Sequence, residues 1–78
     1  MNADLTRFVM SVAEKKKIHL TSFARQRIVG IERKINTHGS DMKVQDVMDA
    51  LNGEKELRLH LERNDWKEIE SKVKTWIR

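Results

Sequence analysis

Seventy-eight residues, 1–78, make one small domain whose core is limited in size and whose stability is correspondingly marginal, which makes dimerisation an option from the outset. The absence of cysteine excludes disulfide stapling and thiolate zinc sites, and the absence of proline leaves long helices unbroken. The net charge of +4 is unevenly placed: residues 1–38 hold eight Lys/Arg against three Asp/Glu, residues 39–65 hold four against seven, and residues 66–78 hold four against two. A basic half beside an acidic segment points to a charged partner, most simply a polyanion.

In chain order, Leu5, Phe8, Val9, Val12 and Ala13 fall at helical spacing and predict a first helix over about residues 3–16. Asp4 and Arg7 interrupt the apolar run that a signal peptide needs, and no stretch approaches the roughly twenty apolar residues of a spanning helix. A soluble cytoplasmic protein, or a nuclear one in a eukaryote, is expected. Ala24, Ile28, Ile31 and Ile35 predict a second helix over about 22–37, with Thr21 or Ser22 as N-cap acceptor and Gly39 past its last turn. Val44, Val47, Met48 and Leu51 predict a short third helix, capped by Ser40 or Asp41 and stopped at Asn52-Gly53. Trp66, Ile69, Val73, Trp76 and Ile77 give the cleanest apolar stripe, and Asp65 with Glu68 resembles a capping box at its start.

Residues 56–62, Glu-Leu-Arg-Leu-His-Leu-Glu, alternate with strand period, whereas leucine and glutamate favour helix, so periodicity and propensity conflict there. Residues 17–21 also alternate, and the two segments could pair as a minor two-stranded ribbon (17–21 with 57–61). The expected fold class is therefore all-α: four helices in a single domain, with or without that ribbon. An internal repeat is visible at the level of pattern. Leu5, Phe8, Val9 and Val12 match Val44, Val47, Met48 and Leu51, and Ile18-His19-Leu20 matches Leu59-His60-Leu61, but these are generic core positions that any two amphipathic helical pairs share.

The candidate nucleic-acid-binding residues are Lys15, Lys16 and Lys17, leaving the first helix, and Arg25, Arg27, Arg33 and Lys34 on the second. At about 100° per residue, Arg27 and Lys34 lie about 20° apart and Arg33 about 120° from Arg27, so the charges skirt the apolar stripe. Guanidinium forks and flexible ammonium groups in that arrangement suit phosphate oxygens. The third helix carries Asp46 and Asp49, which phosphates repel, and is a poor groove reader. Of the four aromatics, Phe8, Phe23, Trp66 and Trp76, at least three fall on apolar faces, which argues against stacking on exposed bases.

The histidines, at 19, 38 and 60, have no metal-ligand spacing, and Asp41, Asp46 and Asp49 lack the glycine and glutamate of a calcium loop. No phosphate loop, thiol or nucleophile elbow is present, so no enzyme activity, cofactor, metal or small-molecule substrate is expected. The first functional reading is a small non-enzymatic regulatory or architectural protein that binds nucleic acid, as a homodimer. The alternative is a regulator or inhibitor that docks on a larger protein through Trp66, Ile69, Val73 and Trp76, the face of the last helix.

Overall fold

A computed structural model describes residues 2–77, and every absence noted below is an absence among those residues. They form five helices: α1 (Leu5–Lys15), α2 (Ser22–His38), α3 (Val44–Asn52), α4 (Lys55–His60) and α5 (Arg63–Trp76), with a 3-10 turn at Gly39–Asp41 between α2 and α3. The all-α expectation is met with one short helix more than predicted.

α1 forms where its apolar spacing predicts, burying Leu5, Val9, Val12 and Ala13 against α2 and α5. Its first turn is not capped locally, because Asp4 makes no side-chain bond to it. The acceptors come instead from α2: the Thr6 N–H donates to Glu32 Oε1 at 2.8 Å and the Ala3 N–H to Asn36 Oδ1 at 2.7 Å. Residues 3 and 6 thus meet 36 and 32, which sets the two helices antiparallel and places a carboxylate at the positive end of α1.

α1 ends in a Schellman arrangement, with the Ile18 N–H on the Ala13 carbonyl at 2.8 Å and the Lys17 N–H on that of Glu14 at 3.1 Å. This geometry puts Lys17 in the left-handed region, φ 57°. A side chain there costs about 1–2 kcal/mol, which glycine avoids at some cost in unfolded-chain entropy. Lys17→Gly is therefore expected to stabilise the fold by about 0.5–1 kcal/mol, a rise of a few degrees in thermal midpoint. A lowered midpoint in a calorimetric melt would contradict this ending of α1.

Gly39 and Gly53 stand where helix ends were predicted, but both (φ −57° and −73°) keep right-handed backbone, so neither supplies a left-handed cap. Thr21 Oγ1 caps α2 by accepting the Ala24 N–H at 3.1 Å. At α3 the cap residue is Lys43, whose N–H donates to Asp46 Oδ2 at 3.1 Å, while Ser40 and Asp41 lie in the 3-10 turn. α5 begins earlier than the sequence suggests: the Glu62 N–H donates to Asp65 Oδ2 at 2.9 Å, so Asp65 caps from the third helical position and Glu68 has no part in the box.

The ribbon is absent. Residues 17–21 are irregular, and Lys55–His60 is helix, with Leu57 buried, Leu61 buried one turn later and Leu59 pointing outward. Helix propensity and the i, i+4 pair Leu57/Leu61 prevail over an alternation that has no neighbouring strand to satisfy its edges. The repeat breaks at the same place, since Ile18 packs on the core while its counterpart Leu59 is exposed. The centre of the molecule is filled by Leu5, Ile28, Ile35, Leu51, Leu57 and Ile69, so every helix contributes to one core.

Candidate nucleic-acid interface

The seven predicted cations separate into two kinds. Lys16 and Arg27 hold helices together. Lys16 Nζ lies 3.3 Å from Asp65 Oδ2 and 3.6 Å from Glu62 Oε2, joining the end of α1 to the start of α5. Hydrogen bonding to the Asp65 carboxylate raises the ammonium above its ordinary value. A raised folded-state pKa means that this contact is fully in place at neutral pH and is lost only as pH climbs beyond the normal lysine range.

Arg27 makes a fork with Glu54: Nε donates to both carboxylate oxygens, at 3.1 and 2.9 Å, and Nη2 donates to Oε1 at 2.7 Å. The Glu54 side chain is 7 % exposed and that of Arg27 59 %, so a buried carboxylate just before α4 is neutralised from α2 by a guanidinium whose outer face stays wet. Hydrogen bonding to Glu54 raises the guanidinium further. Drawing Arg27 onto a phosphate would strand that carboxylate, which sequence spacing alone does not reveal because Glu54 is 27 residues away.

Lys15, Lys17, Arg25, Arg33 and Lys34 are exposed and make no ion pair among the described residues. They do not converge on one spot. Arg25 lines a groove of about 660 Å³ between α1 and α2 together with Arg7 and the carboxylates Asp4, Glu14 and Glu32. Lys15 and Lys17 sit at the end of α1 beside the start of α2, whereas Arg33 and Lys34 lie near the other end of α2, which the antiparallel pairing sets beside the beginning of α1. Arg33 and Lys34 flank the outward face of α2 that also carries Gln26 and Gly30, where an added Cβ would meet nothing within 4 Å.

Phe23 belongs to that outward face and is 71 % exposed. The other three aromatics are buried or half-buried, as the apolar stripes require. The signal for Phe23 was present in the sequence: it precedes Ala24, about 100° off the Ala24/Ile28/Ile35 stripe. α3 presents Asp46 and Asp49 to solvent, and Asp49 accepts from Gln45 Nε2 at 2.7 Å.

The stripe on α5 lies inside the molecule. Ile69 and Val73 are fully buried and Trp76 nearly so, and only Trp66 reaches the surface, at a groove of about 250 Å³ shared with Met48, Asp49 and Glu70. Trp66, Ile69, Val73 and Trp76 therefore form no continuous outer face. None of the helices is long and apolar enough to cross a membrane. No family model, no curated protein and no solved structure matches this chain.

Proposed function

We propose that this is a small non-enzymatic helical protein that binds nucleic acid through the outward face of α2, with Arg33 and Lys34, and through the turn after α1, with Lys15 and Lys17. Arg25 adds a contact from the rim of the α1–α2 groove. The observation that carries the reading is the sorting of the cations: five of the seven stand in solvent without a carboxylate partner among the described residues, on the basic half of the chain. Exposed cations without an ion-pair partner break no salt bridge when they move onto a phosphate, and their binding releases counterions. Lys16 and Arg27, already paired with carboxylates, drop out of the footprint.

The test is titration of labelled duplex DNA, single-stranded DNA and structured RNA at several salt concentrations. With about three to five phosphate contacts, log affinity for duplex should fall against log salt with a slope of roughly −2.7 to −4.5. Replacing Arg33 and Lys34 together with glutamine should weaken binding to all sequences alike and shallow the slope by up to about 2. Arg27→Gln should lower the melting temperature and leave the slope as it was. Absence of binding to all three nucleic acids at low salt, or indifference to the Arg33/Lys34 change, would overturn the proposal.

A further inference from the structure

Only two large apolar side chains are strongly exposed among the described residues, Phe23 at 71 % and Leu59 at 60 %, and each lies one helical turn from a residue that lines one cleft. That cleft, of about 180 Å³, lies between the start of α2 and the start of α4 and is lined by Leu20, Ala24, Arg27, Glu54, Lys55 and Glu56. Phe23 is one helical turn before Arg27, and Leu59 one turn after Lys55, so each is an immediate surface neighbour of a lining residue. Buried Leu20 and Ala24 give the floor an apolar part, beside the buried Glu54 carboxylate that Arg27 neutralises.

We infer that this patch is the contact surface of a two-fold homodimer in which Phe23 of each copy enters the cleft of the other. Size permits it, because a cavity of about 150 Å³ already admits benzene, and Phe23 does not occupy the neighbouring cleft of its own chain but projects into solvent. A knob beside a hole on one patch is what an isologous interface needs, each copy supplying both. The charges are self-complementary as well. Arg27 and Glu54 neutralise each other inside the cleft, and Lys55 and Glu56 stand side by side on its rim, so a two-fold can set Lys55 of one copy against Glu56 of its partner. Among the described residues the neighbour of the Glu56 carboxylate within ion-pair distance is His60 Nε2, at 3.3 Å on the same helix. A cleft with balanced charge offers no pull on a phosphate, and although Phe23 shares the outward face of α2 it stands at the start of that helix, away from Arg33 and Lys34 near its other end. A typical specific interface takes about 800 Å² from each partner, roughly a seventh of the 5471 Å² surface here.

Sedimentation equilibrium of the full chain over a wide concentration range should show a mass rising from 9.2 kDa toward twice that value. Phe23→Ala, at an exposed site that leaves the circular dichroism spectrum and the melting temperature of the dilute monomer unchanged, should raise the dimer dissociation constant at least about tenfold. Lys55→Glu and Glu56→Lys should each weaken the dimer, and the two together should restore it. Monomer at every concentration, a dimer indifferent to Phe23→Ala, or a double charge swap that fails to recover association would overturn the inference.

Discussion

Trp76→Ala is expected to unfold the protein or to lower its melting temperature by roughly 15 °C or more, by the scaling that holds for domains of this size. The side chain is buried near the end of α5, among the residues that close the core, and the Lys72 ammonium stands 5.9 Å from its ring. Truncating a buried tryptophan removes the transfer free energy of the ring and leaves a cavity, together about 3–5 kcal/mol. At about 0.05–0.15 kcal/mol per residue, that loss is a large fraction of the whole stability of so short a chain. Lys72→Ala is the control: it removes two surface cation–π contacts, to Trp76 and to Phe8 at 6.0 Å, each worth about 0.5–1 kcal/mol, and should move the transition far less. Thermal melts followed by circular dichroism separate these outcomes. A Trp76→Ala protein melting with the wild type would remove α5 from the place described for it.

What the sequence makes legible is the inward face of each long helix. Leu5, Val9 and Val12, Ala24, Ile28 and Ile35, Val47 and Leu51, and Ile69 and Val73 are all buried where 3.6-residue spacing puts them, because burial of an apolar stripe is a local pattern. Helix ends are less legible, since their unsatisfied N–H groups can be met from a distance. Glu32 and Asn36 serve the first turn of α1 from the neighbouring helix, and no short-range motif records that. The candidate site shows the same division. Exposure of Arg33 and Lys34 follows from their position off the stripe, but the pairing of Arg27 with Glu54 and of Lys16 with Asp65 depends on which helices meet, and so on the tertiary fold. A reading by charge alone counts all seven cations as equivalent.

The segment where two local signals disagree supplies the sharpest test of the fold. Were residues 56–62 a strand, Leu57, Leu59 and Leu61 would share one face and be buried together. In the helix Lys55–His60, Leu57 is fully buried while Leu59, about 200° away around the axis, is 60 % exposed. The two substitutions should therefore differ sharply although the residues are identical and two positions apart. Leu57→Ala removes a side chain with no solvent contact and should cost about 2–5 kcal/mol, whereas Leu59→Ala should fall within about 0.5 kcal/mol of the wild type. Chemical denaturation at a protein concentration low enough to keep the chain monomeric measures both, because any stabilisation that Leu59 gains from self-association is then absent. Equal and large losses at both positions would restore the strand. A large loss at Leu57 alone locates the decision between helix and strand in the packing of that one side chain beneath α4, where propensity and burial act together against the alternation written in the sequence.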